Sequence, residues 1–498
     1  MAISAHMSSP NVLILMCDQL QAGVLGCYGG PIDTPNIDRL ATQGAVFANA
    51  ICPTPICSPS RASMVTGVYP HTHGIVHNVN RVEYPAIDSP KTEQGLRNGE
   101  MTTDKLLSEA GYSTGHYGKL HLLHDELDYY PDIFGEHTHY PAAVQSEFER
   151  ARLRPRDEWM NWYGWALPVE QSALFRRAVE ALGEKWSGKL YSEFIQRIGR
   201  LEMSPEDTFE HMVAEKASRA IAESGNQPFA VTCSFNQPHD PNVVPSPYYE
   251  AVDPAQIELP ASFQVRDSRF ETQWSRQAVA DLGQTGAREF MRVYYASVMM
   301  IDDLVGKVLD ALDASGKADS TVVLFTADHG DMCGGHGMVW KSTDAFYDEL
   351  VRVPLIVRWP GSIAPARLDD PVSLVDFMPT VLELAGLAAP DGIEGRSLAD
   401  CVTGKSAPAE ATSGIVFCER LETDPKHRRT ARRPDDGDAM VRTGTWKFCE
   451  YRDGHQQLFD LQADPFEMRN LAHNRAHADR KLQLSQELDA WRASRPGR

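Results

Sequence analysis

Several things are scarce in this chain, and each scarcity removes a class of function. No stretch of its 498 residues approaches the roughly 18 consecutive apolar residues that a bilayer-spanning helix needs, so a membrane partner is not expected. Positive charge is in deficit: 48 Lys and Arg stand against 68 Asp and Glu, a formal net charge of −20. That balance argues against nucleic acid or an anionic membrane as the main partner, although a few local cations can reverse the field inside a pocket. Cysteine is sparse, with nine residues at positions 17, 27, 52, 57, 233, 333, 401, 418 and 449, and only Cys52 and Cys57 lie close together. An odd, scattered set reads as reduced thiols in a cytoplasmic protein, not as a disulfide framework. Residues 1–10 carry no basic segment followed by an apolar one, so no secretory signal is read there, and Ala5-His6-Met7 has the look of a cloning scar. Internal repeats and long low-complexity tracts are also missing.

What is present is an ordinary globular composition, 42% hydrophobic and 23% charged, at a length that suggests one large unit plus a smaller one. Continuous apolar runs at 11–17, 229–235, 321–326 and 354–358 predict strands covered on both faces. Helical patterns at 36–43, 103–110, 205–224, 290–315 and 375–385 lie among them. Strands alternating with helices predict an α/β fold with a large, mostly parallel sheet sandwiched by helices. The C-terminal part differs: 414–420, 439–451 and 457–461 are β-like, and a polar helix near 476–493 closes the chain. The expected organisation is a catalytic α/β unit over 1–405 and a small α+β unit over 406–498, an antiparallel sheet plus helix, joined by an Ala-, Pro-, Ser- and Glu-rich linker at 405–412.

Chemistry-bearing residues follow two of the predicted strands directly. The first ends in Asp18-Gln19 and the third in Asp328-His329. Ligands of open α/β sheets bind beyond the carboxyl ends of the strands, which places these four residues to converge on one divalent cation. Taken alone, either dipeptide is equally well a helix cap. A third segment, Cys57-Ser-Pro-Ser-Arg61 with Thr66-Gly67 downstream, changes that balance. Ser58 suits an N-cap and Pro59 a first helical position, so Cys57 is expected at a helix N-terminus, where free N–H groups favour an anion. A lone cysteine is usually a small core residue. The full Cys-x-Pro-x-Arg pattern arises by chance in only roughly two of a hundred chains this long at average residue usage.

On these residues the chain resembles the formylglycine-dependent sulfatases of the alkaline phosphatase superfamily. The resemblance runs through Pro35-Asn36-Ile37-Asp38, Gly118-Lys119-Leu120-His121, Pro238-His239-Asp240-Pro241, Thr326-Ala327-Asp328-His329-Gly330, Lys341, and the closing Leu458-Phe459-Asp460-Leu461 with Asp464-Pro465 and Asn470-Leu471. It implies an alkaline-phosphatase-like fold and conversion of Cys57 to formylglycine by a dedicated formylglycine-generating enzyme. It implies one divalent metal, held by Asp18, Gln19, Cys57, Asp328 and His329. The hydrated aldehyde would attack sulfur through one hydroxyl, and the second would later expel sulfate. Lys119 and Lys341 would neutralise the transferring group, His239 or Lys341 would protonate the leaving alcohol, and His121 would serve as base for the release step. Arg61 would orient the diol. Asn78, Lys119, His239 and Lys341 would touch substrate, a small-molecule or saccharide sulfate ester.

The metal shell departs from the commonest sulfatase pattern of Asp-Asp and Asp-Asn: one carboxylate fewer and one imidazole more. Calcium prefers oxygen and manganese accepts imidazole, so calcium or manganese is expected. Choline sulfatases and formylglycine-dependent phosphonate monoester hydrolases and phosphodiesterases share similar shells. Phosphonate or phosphodiester hydrolysis is therefore the alternative, with Gly-Lys-x-His favouring sulfate. A binding protein without catalysis would have lost Cys57, a ligand or Lys341, and none is lost. Residues 159–165 hold an aromatic cluster suited to a substrate ring, to the core or to a homo-oligomer contact, and 426–433 hold a basic run suited to a solvated loop or a pocket mouth.

Overall fold

A computed structural model of the chain describes residues 9–79, 95–96, 100–122, 133–134, 169–171, 198–341, 344–406, 414–421 and 437–495. The aromatic cluster at 159–165, the basic run at 426–433 and most of the expected linker lie outside the described residues.

An eight-stranded sheet forms the centre. Its strands in chain order are β1 (Asn11–Asp18), β2 (Ala45–Phe47), β3 (Ser113–Gly118), β4 (Ile133–Phe134), β5 (Phe229–Pro238), β6 (Thr321–Ala327), β7 (Leu355–Arg358) and β8 (Ala366–Leu368). Their order across the sheet is β8-β2-β7-β6-β1-β5-β3-β4. The five strands β4, β3, β5, β1 and β6 are mutually parallel, whereas β7 runs against both of its neighbours. β1, β5 and β6 are buried along their whole lengths, as continuous apolar runs in a two-sided sheet must be.

Among the described residues the helices longer than one turn are α1 (Pro35–Gln43), α2 (Cys57–Thr66), α3 (Thr103–Glu109), α4 (Phe209–Glu223), α5 (Trp274–Ala314), α6 (Phe377–Leu384) and α7 (Ala478–Ala493). α1, α4 and α5 pack together and on the sheet, and α2, α3 and α6 form a second group. The helix expected to begin at 290 begins at Trp274, and the chain breaks inside it at Gly283, whose φ of 68° is left-handed. Glycines at 283 and 286 hide the amphipathic signal of that first part from sequence. The segment expected at 205–224 splits into a short 3-10 turn, Pro205–Asp207, and α4, which Thr208 caps by accepting the His211 N–H.

The C-terminal strands β9 (Ile415–Arg420), β10 (Asp438–Thr443), β11 (Trp446–Glu450) and β12 (Gln456–Asp460) form an antiparallel meander. Its side chains alternate. Ala439, Val441, Phe448 and Leu458 pack with Leu484 and Leu488 of α7, while Cys418, Met440, Cys449 and Phe459 belong to the same core as the large sheet. A buried ion cluster adds to this joint. Lys447 donates to the Phe346 carbonyl at 2.9 Å and pairs with Asp348 at 2.5 Å and Glu467 at 2.7 Å, and Arg442 meets Asp348 at 2.8 Å. Glu467, two residues after the Asp464-Pro465 of the closing motif, thus serves architecture, as does Asn470, whose carboxamide oxygen accepts from the Leu458 and Ala472 N–H groups. Among the described residues no helix is long and apolar enough to cross a membrane.

Candidate active site

The parallel register of β1 and β6 sets Cys17 beside Ala327, so the next residues, Asp18 and Asp328, emerge together at the carboxyl edge. On the other side of β1, Asp18 pairs with Pro238 across a register shift, and His239 follows. β3 ends at Gly118 with φ 100°, where a Cβ would lie 1.9 Å from the Ser234 carbonyl oxygen. Only glycine allows that approach; the next residue, Lys119, donates its N–H to the same oxygen. Four adjacent strands thus deliver Lys119 and His121, His239, Asp18 and Gln19, and Asp328 and His329 to one edge. Lys341 arrives from the loop beyond β6, behind Trp340, whose indole N–H donates to Asn242 at 2.6 Å.

Cys57 is the first residue of α2 and is fully buried. Its Sγ lies 3.2 Å from His329 Nε2, 3.2 Å from Lys341 Nζ and 3.6 Å from Asp18 Oδ1. In a matured protein that sulfur would stand where a formylglycine oxygen stands. Lys119 Nζ is 2.5 Å from Asp18 Oδ2. His239 Nε2 is 2.7 Å from Lys341 Nζ, and its Nδ1 is 2.7 Å from the Asp240 carbonyl oxygen. Because a carbonyl only accepts, Nδ1 carries the proton and Nε2 accepts from the lysine.

Arg61, expected to orient the diol, lies beside two carboxylates. Its guanidinium donates to Asp328 Oδ2 at 2.7 Å and to Asp18 Oδ2 at 3.2 Å, and also to the Lys119 carbonyl and Ser234 Oγ. It holds the two carboxylates in place. The two unspecified positions of the motif fasten α2 to the sheet edge: Ser58 Oγ donates to the His121 carbonyl and Ser60 Oγ to the Asp328 carbonyl, each at 2.6 Å. Asn78 accepts the Ser58 N–H through Oδ1 at 3.2 Å and so caps the first turn of α2. Gly67, in the left-handed region at φ 70°, ends the helix and accepts the Glu394 and Gly395 N–H groups.

The electrostatics follow from these distances. Burial works against ionisation of Asp18, but Lys119 and the neighbouring cations outweigh it and hold the carboxyl well below the usual range. Burial and Asp18 both oppose a Cys57 thiolate, yet Lys119, Lys341 and His329 bring its pKa down. His121 and His239 are pushed well below the ordinary histidine value by burial first and the lysines second, so both are neutral near pH 7. Burial opposes charge on His329, but Asp328 and Cys57 raise it to about 9. The anions around that ring call for positive charge, which a divalent ion held by the same atoms would supply in place of a proton.

Asp18, Cys57, Asp328 and His329 offer ligand atoms that all lie within 4.8 Å of one another. Gln19 Oε1 is buried and has no hydrogen-bond partner, as an oxygen reserved for a cation would be. His329 Nδ1 sits 2.8 Å from the Gly330 carbonyl oxygen, which leaves Nε2 as the ligand atom. Two carboxylates, an amide oxygen and an imidazole fit a divalent cation of the calcium or manganese kind.

Supporting residues escaped the sequence reading. Asp331 accepts from Gln19 Nε2 at 2.6 Å, and Tyr294 donates to the Gln19 carbonyl at 2.7 Å. Glu210 on α4 accepts the Asn236 and Gln237 N–H groups ahead of His239, and His116 contacts the Lys119 carbonyl at 3.1 Å. None belongs to a strand-end dipeptide; only Asp331, two residues beyond His329, stood close enough to a motif to be suspected.

The sequence profile described as Sulfatase matches residues 10–387, and one described as N-sulphoglucosamine sulphohydrolase, C-terminal, matches residues 334–494. An N-acetylglucosamine-6-O-sulfatase of Bacteroides thetaiotaomicron is 25% identical over 524 residues, covering 96% of this chain and 86% of the relative. A choline-sulfatase of Rhizobium meliloti is 28% identical, covering 93% and 83%. Among solved structures, the phosphonate monoester hydrolase of Agrobacterium radiobacter has the same fold, with a TM-score of 0.75 at 22% identity over 98% of this chain and 96% of its own. With a profile that spans most of its length, the chain belongs to the sulfatase family, the sulfuric ester hydrolases.

Proposed function

We propose that the protein hydrolyses sulfate monoesters through a formylglycine made from Cys57, beside one calcium or manganese ion. The observation that carries this reading is the setting of Cys57: its Sγ, at a helix N-terminus, lies 3.2 Å from both Lys341 Nζ and His329 Nε2, beside two clamped carboxylates. The reaction takes an ester and water to an alcohol and sulfate. A metal ion in this cluster would polarise the sulfuryl oxygens and favour an ionised nucleophile. A hydrated formyl group at position 57 would supply one oxygen to attack sulfur and a second to expel sulfate. The lysines stabilise charge on the transferring group. Lys341 gives the proton to the departing alcohol, because His239 accepts from it and serves to aim it. His121, buried and neutral, takes the proton from the second hydroxyl. Arg61 fixes Asp18 and Asp328 in place. Asn78 fixes the helix turn that carries residue 57.

Maturation requires an enzyme that oxidises Cys57. A sulfated saccharide is the substrate class that the relatives' names support, with choline sulfate the small-molecule alternative. We assign all of this chemistry to the unit 1–405 and a supporting role to 406–498, since every side chain named at the site precedes residue 342.

The test is a comparison of two substrates with one leaving group, an aryl sulfate and the matched aryl phenylphosphonate. Both carry one negative charge, so net charge does not separate them. Sulfate presents a third small oxygen to Lys119 and His121, where the phosphonate presents a carbon group that accepts no hydrogen bond from either. A higher kcat/KM for the sulfate is expected. Equal or faster phosphonate turnover overturns the sulfatase reading and favours the phosphorus alternative.

A further inference from the structure

We infer that Asp331 is a positioning residue that turns the Gln19 carboxamide so that its oxygen, not its nitrogen, is presented to the cation site; the inference rests on reading that site as a metal centre.

Gln19 is held at both ends of its backbone. Its N–H donates to Asp328 Oδ1 at 3.1 Å and its carbonyl accepts from the Tyr294 hydroxyl at 2.7 Å, with φ at 64°. The backbone therefore sits in a conformation uncommon outside glycine. The choice between its two ends is made by Asp331. Asp331 Oδ1 accepts the Cys333 N–H at 2.7 Å, and Oδ2 accepts from Gln19 Nε2 at 2.6 Å. Both Asp331 oxygens accept, so it is the NH2 end of the Gln19 amide that faces them. The opposite end, Oε1, is then left buried with no hydrogen-bond partner. Such an orphan is unfavourable unless a cation meets it. The arrangement lets a neutral residue fill a position where a carboxylate is commoner, with a carboxyl group set behind it, on Asp331.

The substitution Asp331→Asn keeps the shape but leaves a single acceptor. With that oxygen on the Cys333 N–H, the new NH2 faces Gln19 and the Gln19 carboxamide must flip, presenting NH2 to the cation. Adding Gln19→Glu cures this, because a carboxylate there accepts from the new NH2 and keeps an oxygen for the metal.

The experiment titrates metal-stripped full-length protein with calcium and with manganese by calorimetry. The forms compared are the parent, Asp331→Asn, Gln19→Glu, the double variant and Asp328→Ala, each with a melt of the metal-free form. Asp331→Asn is expected to weaken metal binding about ten- to a hundredfold, as loss of a group that orients a ligand does. Gln19→Glu is expected to gain more affinity on top of Asp331→Asn than in the parent, where two carboxylates would meet across 2.6 Å. Parent-like affinity in Asp331→Asn, or the same change from Gln19→Glu in both backgrounds, overturns the inference while Asp328→Ala still loses the metal. Loss of metal-free stability that the double variant does not restore would make Asp331 a loop staple and equally overturn it. Parent-like affinity in Asp328→Ala would instead remove the metal centre itself.

Discussion

Two of the buried charge clusters among the described residues are built on different terms. At the joint between the two sheets, Asp348 and Glu467 face Lys447 and Arg442, and Lys447 completes its shell with the Phe346 carbonyl. Arg352 also meets Asp348, at 3.7 Å, so each of these charges has a protein partner, and together they tie the C-terminal sheet to the large one. At the carboxyl edge of the large sheet, two carboxylates, Asp18 and Asp328, face three cations, Arg61, Lys119 and Lys341. That set is out of balance, positive in a chain of net charge −20, and its ligand atoms converge within 4.8 Å. The first cluster holds segments together; the second, whose ligand atoms converge beside a helix N-terminus, is the one proposed to take a metal and an anionic ester.

Breaking each cluster should therefore have opposite signatures. Asp328→Ala removes a metal carboxylate, and turnover should fall by ~10³ or more, the several kcal/mol that a lost metal is worth. Elemental analysis should show the metal gone from the folded protein. Asp348→Ala leaves Lys447 and Arg442 buried without their shared partner, at a cost of about 3–5 kcal/mol of stability. Its melting temperature should drop, with metal content per folded molecule unchanged. Retained metal in the first variant or unchanged melting in the second would erase the distinction.

Lys119→Ala sharpens the comparison from inside the site. It should lower kcat/KM for the sulfate by about 10²–10³, the usual effect of losing one donor to the transferring group, and narrow the sulfate-to-phosphonate ratio. A parallel loss on both substrates would show that Lys119 does not discriminate between them.

The smallest effect is expected at a second tie to the C-terminal sheet, where His71 bridges Glu394 at 3.0 Å and Glu419 at 2.9 Å. Burial opposes the proton, but hydrogen bonds to the two glutamates raise the His71 pKa above its ordinary value. Its stabilisation is therefore complete below about pH 6.5, the unfolded value, and is lost as pH rises through the raised folded value. Denaturant midpoints measured upward from about pH 6 should show this decline, and His71→Gln should flatten it.

The two regions also differ in how far sequence exposes them. The site was legible because strand ends and a helix start carry reactive residues in local words, Asp18-Gln19, Asp328-His329 and Cys57-Ser-Pro-Ser-Arg61, and the parallel register then aligns them. Long-range placement was not. The contacts of Arg61 with Asp18 and Asp328, and those of Asp331 and Glu210, are hydrogen bonds that no spacing encodes. The C-terminal meander was visible as β-like segments, yet nothing local showed that one face of it joins the main core. The early part of α5 was hidden by Gly283 and Gly286, where packing overrides propensity.

The central claim is that Cys57 is the precursor of the nucleophile, and the mass of its peptide tests it most directly. In active enzyme the peptide carrying residue 57 should be about 18 Da lighter than the encoded cysteine form, one sulfur exchanged for oxygen with loss of two hydrogens, and should react with a hydroxylamine probe. Fully active protein whose residue 57 is an unmodified thiol throughout would contradict the account.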